Sequence, residues 1–512
     1  MSKFEITPAH EAINNAIEAG ERHLMISAVA GSGKTTTILE ALKLIPTERV
    51  MFLAFNKSIA TELAMRVPQN VQACTLNSLG HRAFGTWLSG RGLSRPKLSA
   101  WKSADIADSL LSEDDFAMYS GALKKLTGLA KGQGLIPSGR DTKNKAPFDG
   151  LMADTVENWM RLINRFGVEL PDDETRDPAL TTIQFAREIL DAGLRTNKVI
   201  DFDDQLYMTL AFDVPMSKFD RVFVDEAQDL NPVQLELVAR SLGKDGKVCA
   251  VGDPCQAIYG FRGADADSMP NIKARFDCLE LPLHVSYRCP KAIVAEAQKV
   301  VSHIQPHKDA QDGSLFGAGA GKDDSPQPHD EFPFIGGDMV LCRFNAPLVR
   351  VCYSNIRRGI PTFIMGREVG AGLIALVKKL GATSIKNLAE KLDAWEDNEV
   401  AKLERAGKKE DRIAGTRDRA ECLRVFVEMA DTIPGMIRKI EEMFRDKDPG
   451  RMVRLCTIHK SKGLEAERVF VLNRDEMPCK WASQTWQLEQ EMNLIYVAVT
   501  RSQRHLQYIT AK

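Results

Sequence analysis

Lys34 and Thr35 follow two closely spaced glycines, Gly31 and Gly33, in the stretch SAVAGSGKTTT (Ser27–Thr37). Glycines let backbone N–H groups converge on phosphate oxygens, and the start of a helix adds a positive partial charge. Lys34 would neutralise β- and γ-phosphates, and the Thr35 hydroxyl would complete a Mg²⁺ shell. The phosphate cradle is therefore expected over Ala28, Val29, Ala30, Gly31, Ser32, Gly33, Lys34, Thr35 and Thr36. One position departs from the P-loop pattern: Ala28 stands where its first glycine belongs. A chance small-residue turn is the competing reading. Against it, apolar Leu24, Met25 and Ile26 precede the loop and periodic Ile38, Leu39 and Leu42 follow it, so strand and helix are both legible.

Two further polar clusters end apolar runs. Phe219–Val224 (FDRVFV) stops at Asp225-Glu226-Ala227-Gln228-Asp229, and Lys247–Val251 (KVCAV) stops at Gly252-Asp253-Pro254-Cys255-Gln256. Ligands of open α/β sheets sit beyond the carboxyl ends of strands. In a nucleotide site Asp225 would hold Mg²⁺ directly or through water. Glu226 would orient and deprotonate the attacking water, and Gln256 would report the γ-phosphate to the rest of the chain. The structural alternative for Asp225 and Glu226 is an acidic cluster complementing a helix dipole. It fits less well, because these acids directly follow a buried-type strand. Next come Tyr259, Phe261 and Arg262 in AIYGFRGA (Ala257–Ala264), a set suited to stacking on exposed bases. Core packing competes for Tyr259. Within LHVSYRCPKAIV, starting at Leu283, Arg288 sits beside Tyr287, a ring that could cover a purine.

Positioning these groups takes a parallel sheet. Thr7 and Pro8 are an N-cap and first residue for a helix carrying His10, Ala12, Ile13 and Ile17. Arg49–Asn56 and Val71–Leu76 read as strands, with a helix at Lys57–Arg66 between them. From about 86 to 200 the rhythm turns helical (Ala104–Leu111, Thr155–Phe166, Thr181–Leu194). The Gly/Lys-rich stretch Lys124–Lys145 there reads as a basic loop, either touching a phosphate backbone or simply solvated. Residues 305 to 335, rich in Gly, Pro, Asp and Ser, read as a mobile loop. Sheet pattern returns at Met339–Cys342 and Thr362–Met365. A charged helical piece fills roughly 367 to 450. Strands at Val453–His459 and Arg468–Leu472 follow, then a helix and strand over Glu489–Ile509.

A chain of 512 residues is too long for one core, so three or four subdomains are expected. Its 44% hydrophobic and 27% charged residues are those of an ordinary soluble protein. A net charge of −1 does not advertise a polyanion partner, yet leaves room for a local basic groove. Ten cysteines without CxxC pairs or zinc spacing read as core thiols of a reducing compartment. No apolar run approaches ~18 residues, and Met1–Thr7 lacks the apolar core of a signal peptide. A cytoplasmic, soluble protein with no membrane partner is expected.

In order, TPAHEAI, AGSGKTT, LAFNKSIATEL, TLNSLG, DFDDQL, VDEAQDLNPVQ, VGDPCQAIYGFRGAD, SYRCPKAI, RLCTIHKSKGLEAERVF and EMNLIYVAVTR resemble the superfamily 1 DNA helicases of the UvrD/Rep (PcrA-like) type. The resemblance covers nearly the whole chain. It implies an α/β fold of two RecA-like parallel-sheet domains with ATP between them, each interrupted by a mostly helical insertion. The first domain (1A, ATP-binding) would be 1–85 with 201–280, and its insertion (1B) 86–200. The second (2A) would be 281–366 with 451–512, and its reduced insertion (2B) 367–450. Lys34, Thr35, Asp225, Glu226 and Gln256 keep the roles derived above. The resemblance adds Arg288 and Arg501 as arginine fingers, Tyr287 stacked on adenine and Glu465 near the ribose. His10 takes the place of the Q-motif glutamine. Phe55, Asn56, Tyr259, Phe261 and Arg262 become single-strand contacts, joined by Thr75, Asn77, Thr457 and His459. ATP and Mg²⁺ are the implied cofactors. Single-stranded and tailed duplex DNA are the implied partners, with a protein partner for the 367–450 insertion.

The chain departs from the family at several positions. AFNK is one residue shorter than the usual motif, Asn77 stands where a His is common, and Ala466 follows Glu465 where many relatives carry an aromatic. The chain ends just past the Arg501 motif, so no appended nuclease is expected. The leading expectation is an ATP-driven helicase moving 3′ to 5′ on single-stranded DNA. The alternative, motivated by the short second insertion and near-neutral charge, is a DNA-stimulated regulatory ATPase that gates a partner or strips proteins from DNA without unwinding alone.

Overall fold

Helix Pro8–Ala19 (α1) begins where Thr7 caps it, with Pro8 at its first position and His10 closing a reciprocal capping box. Strand Leu24–Ala28 (β1) follows, almost wholly buried. The computed structural model describes residues 7–137, 151–196, 198–258, 268–319, 324–405, 410–446 and 451–511. It comprises two units: Met1–Ala28 with Gly33–Leu283, and Val29–Ser32 with His284–Lys512.

In the first unit the chain continues through Lys34–Ala41 (α2), Val50–Ala54 (β2), Lys57–Ala64 (α3), Val71–Thr75 (β3) and Leu76–Ser89 (α4). A two-residue strand Lys97–Leu98 (β4) leads into four helices: Lys102–Leu110 (α5), Glu113–Gly132 (α6), Val156–Phe166 (α7) and Pro178–Arg195 (α8). Val199–Ile200 (β5) pairs with β4 in parallel. Then come Asp204–Ala211 (α9), Phe219–Val224 (β6), Pro232–Ser241 (α10), Leu242–Gly252 (β7), Ser268–Phe276 (α11) and Leu279–Leu283 (β8). The six-stranded sheet has the order β3-β2-β6-β7-β1-β8, with every pair parallel. Its central strands are buried on both faces, which is why VMFLA and the VFV end of β6 read as unbroken apolar runs rather than alternating ones. Helices α5 to α8 gather round their own core, including Tyr119, Leu126, Trp159, Leu162, Ile183 and Ile189.

The second unit opens with Val285–Ser286 (β9), Lys291–Ala297 (α12) and Gln305–Pro306 (β10), which pairs with β9. Its main parallel sheet takes in Ser314–Phe316 (β11), Gln327–Pro328 (β12), Met339–Cys342 (β13), Thr362–Met365 (β14), Phe444–Arg445 (β15), Val453–Thr457 (β16), Ala466–Leu472 (β17) and Ser502–Thr510 (β18). The order is β11-β18-β17-β13-β16-β14-β15, with β12 also on β18. Asn345–Arg357 (α13) and Thr485–Val499 (α18) connect strands. Arg367–Leu380 (α14), Ile385–Arg405 (α15), Glu410–Met429 (α16) and Ile433–Met443 (α17) form a helical group between β14 and β15, packed through Leu388, Leu392, Leu423, Phe426 and Ile440. No described helix is long and apolar enough to cross a membrane. All ten cysteines are free thiols, nine of them buried.

Two loop expectations need correction. The Gly/Lys-rich stretch is helical as far as Gly132, because Leu123, Leu126, Leu129 and Ala130 line one buried face of α6. Two of its lysines serve the interior: Lys125 donates to the carbonyl of Phe166 at 2.7 Å, and Lys131 pairs with Asp201 and Asp204. Residues 305 to 335 hold short strands instead of open loop, since β11 and β12 both add in parallel to β18. The Ser314 hydroxyl and the His505 ring, 2.8 Å apart, tie that edge together.

Candidate functional site

β1, β7 and β6 are neighbours in the first sheet, so the glycine loop, the Asp253–Gln256 turn and the Asp225–Glu226 pair leave one edge side by side. Gly31 and Gly33 have φ of 70° and 77°, the left-handed region that favours glycine. Ala28 is different. It is the last residue of β1, paired with Leu283, where a side chain costs nothing, and this accounts for the missing first glycine. Gly33 caps α2 without a side-chain bond, leaving the first amides of Lys34, Thr35 and Thr36 for an anion.

The Lys34 ammonium stands 3.8 Å from Glu226 Oε1. Glu226 itself has φ of 52°, unusual for a residue with a side chain. It is held there by two bonds: its N–H donates to Asp225 Oδ1 at 2.9 Å, and the Gln228 amide donates to its carboxylate. Gln228 also accepts from the N–H of Asp253 at 3.0 Å. Asp253 Oδ2 in turn accepts from the Gln256 amide at 2.7 Å. Glu226, Gln228, Asp253 and Gln256 thus form one chain of bonds spanning two strand ends. Burial pushes the Asp253 carboxyl above its ordinary value, with the Lys34 charge and the Gln256 bond opposing it. Gln228 and Asp253 are the members that residue typing passed over. Only their presence inside DEAQD and GDPCQ marked them. His10 is buried, its ring engaged with the Thr7 hydroxyl at 2.8 Å, and burial lowers its pKa.

The neighbouring half of the same edge carries the nucleic-acid candidates. Phe55, just past β2, is exposed. Asn56 caps α3 by accepting from Ile59, and Thr75 caps α4 by accepting from Ser78, so both also have local structural work. Asn77 donates to the carbonyl of Phe202 at 2.9 Å. Phe202 was not singled out from the sequence, yet it is 57% exposed beside this contact. Tyr259, Phe261 and Arg262 lie outside the described residues.

In the second unit Arg288, Glu465 and Arg501 come together. Arg288 Nε is 2.5 Å from a Glu465 oxygen, and its Nη1 donates to the Thr500 carbonyl at 3.3 Å. Arg501 is buried, donating to the carbonyls of Val497 at 2.9 Å and Leu464 at 3.1 Å. Tyr287 rests against His307, ring centroids 4.8 Å apart. Thr457 ends β16 and His459 lies just beyond, both half-buried.

A glycine loop after β1 and bonded acids after β7 and β6, the next two strands on one side of it, define a P-loop α/β protein. The UvrD/REP helicase N-terminal domain family matches residues 9–277, and the UvrD-like helicase C-terminal domain family matches residues 374–512. The chain belongs to the UvrD/Rep helicase family. Over 519 residues it is 25% identical to F-box DNA helicase protein 1 of Schizosaccharomyces pombe, covering 94% of this chain and 55% of that one. F-box DNA helicase 1 of Gallus gallus is 23% identical over 538 residues, covering 99% and 49%. ATP-dependent DNA helicase PcrA of Staphylococcus epidermidis is 25% identical over 320 residues, covering 58% and 40%. The chain spans about half the length of the curated relatives it matches.

Proposed function

We propose that this chain is an ATP-hydrolysing DNA motor that moves 3′ to 5′ along a single strand and separates duplex ahead of it. The observation that carries the reading is the bonded chain from Lys34 and Glu226 through Gln228 and Asp253 to Gln256, at one sheet edge with the glycine loop. In this reading 1–85 with 201–280 form the ATP-binding domain and 281–366 with 451–512 the second RecA-like domain. The intervening 86–200 and 367–450 are their insertions. Lys34 and the first amides of α2 hold the phosphates. The Thr35 hydroxyl and Asp225 carboxylate are hard oxygens of the kind Mg²⁺ takes, and that ion, when bound, neutralises phosphate charge. Glu226, fixed by Gln228, takes the proton of the attacking water. Arg288 and Arg501 stabilise charge on the transferred phosphoryl group, Tyr287 covers the base, Glu465 approaches the ribose and His10 lies by the adenine. Phe55, Asn56, Thr75, Asn77, Thr457 and His459 grip the strand, together with Tyr259, Phe261 and Arg262. Because Gln256 is bonded to the acid chain, loss of the γ-phosphate can be passed on to the adjacent strand-gripping half of the same edge.

ATPase measured with and without single-stranded DNA tests this, and absence of stimulation overturns it. Unwinding of duplexes with 3′ or 5′ tails, in DNA and in RNA, tests polarity and sugar. DNA-stimulated hydrolysis without strand separation would favour the regulatory ATPase, for which the four-helix group α14 to α17 is the surface open to a protein partner.

A further inference from the structure

Two large aromatic residues, Trp101 and Phe202, follow where the paired strands β4 and β5 end. Leu98 and Ile200 are register partners, and the Ser99 N–H continues the ladder to the Ile200 carbonyl at 2.8 Å. Trp101 comes three residues after Leu98 and Phe202 two after Ile200, so both leave the same end of one short ribbon. The tie continues past the ribbon, where the Ser103 hydroxyl donates to Asp201 Oδ2 at 3.0 Å. Trp101 is 68% exposed. Phe202 is 57% exposed, and exposed aromatic rings of this kind are what unpaired bases stack on.

The backbone under Trp101 is held with unusual firmness. The next residue, Lys102, is buried, donating to Asp204 Oδ2 at 2.6 Å and to the Gly193 carbonyl at 2.8 Å. Lys131 reaches the same acids, Asp204 Oδ1 at 2.9 Å and Asp201 Oδ2 at 2.5 Å. Trp101 itself occupies the N-cap of α5 and makes no cap bond there, at a position where Ser, Thr, Asp or Asn would stabilise the helix. An indole is a donor only and cannot accept a cap bond, so this exposed ring does not cap the helix, and it directly precedes a buried ionic anchor.

We infer that Trp101 is a base-stacking platform that extends the single-strand track from Asn77 and Phe202 onto the ribbon, its occupant being unpaired bases of a nucleic acid. This deepens the nucleic-acid reading above and rests on it. Continuity supports that occupant, since Asn77 is bonded to the Phe202 carbonyl and Phe202 shares the ribbon end with Trp101. Charge supports it too: Lys97 and Lys198, bonded neighbours at the ribbon's other end, are exposed cations within a few residues' length, suited to phosphates. Stacking tolerates every base, so the platform lengthens the site without reading sequence.

Oligothymidylates of graded length test the inference on the full chain, with wild type, Trp101→Ala and Trp101→Phe compared for affinity and tryptophan quenching. Short oligomers are expected to bind all three alike. Beyond a threshold length Trp101→Ala is expected to weaken binding about tenfold, the scale of one lost stack. Trp101→Phe should stay within about twofold but lose part of the quenching, because it keeps a ring without the indole. Thermal melting should be unchanged, as the side chain is exposed. Equal affinity of wild type and Trp101→Ala at every length overturns the inference and leaves the motor reading standing. A wild-type protein that binds no oligomer overturns both.

Discussion

In the first unit Gly33 and Lys34, Asp225–Glu226 and Asp253–Gln256 lie beyond the carboxyl ends of β1, β6 and β7, and Phe55 and Thr75 stand at those of β2 and β3. In the second, Thr457 closes β16 at its carboxyl end, whereas Glu465 and Arg501 precede β17 and β18 at the amino ends. The carboxyl edge of a parallel sheet offers loops and helix N-termini whose amides suit anions. The amino edge offers none of these, so its cations must be held by their own bonds. Arg501, on the carbonyls of Val497 and Leu464, shows how this is done, and Arg288, which follows β9, bonds the carbonyl of the adjacent Thr500. In the proposed reading one unit holds a phosphate chain and the other supplies fixed guanidinium groups.

This division of labour can be broken. Arg288→Ala is expected to lower kcat on the order of 10³-fold while nucleotide affinity changes far less. An equal loss in affinity, measured with a fluorescent ATP analogue, would erase the contrast. Lys131→Met leaves Asp201 and Asp204 short of a buried cation and should cost the first unit about 3 kcal/mol. In denaturant titrations the unfolding of the second unit should stay put. Glu226→Gln should keep nucleotide binding and slow hydrolysis on the order of 10²-fold. Loss of binding instead would make Glu226 a structural partner of Lys34. Thr75→Ala removes the cap of α4 and should lower stability by about 1 kcal/mol. A DNA-affinity loss beyond that attributable to unfolding would separate its strand-contact role from its cap.

The smallest effect expected concerns acid. Burial lowers the pKa of His10 and His23 in the first unit, and of His284, His329 and His505 in the second. A folded-state pKa below the ordinary 6.5 means the unfolded chain binds protons first. The stability these neutral rings contribute is present above 6.5 and is lost as pH falls below it towards their lowered values. Melting curves from pH 7 to 5 should fall more steeply for the second unit, and a steeper fall in the first would contradict the assignment.

Much of the frame was legible because buried parallel strands are written as short apolar runs and their ends as glycines and acids. FDRVFV followed by DEAQD could hardly be placed elsewhere. The N-cap role of Thr7 and the first helical position of Pro8 were equally plain, being local chemistry. The reading failed where polar residues turn inward. Lys125 and Lys131 look like solvated charges in a Gly/Lys-rich stretch, and only carbonyls and carboxylates distant in sequence make their burial tolerable. Within residues 305 to 335, β11 and β12 likewise owe their place to β18, almost two hundred positions later.

Sequence alone determined which groups gather as the candidate phosphate site, since Lys34, Thr35, Asp225, Glu226 and Gln256 are set by type and by the strand each follows. Tertiary structure decided their company: that β6, β7 and β1 are adjacent, that Gln228 and Asp253 bind the two acid turns together, and that Trp101 and Phe202 share one end of a ribbon. Strand order and side-chain burial depend on contacts between residues far apart in the chain, and local pattern carries no record of them.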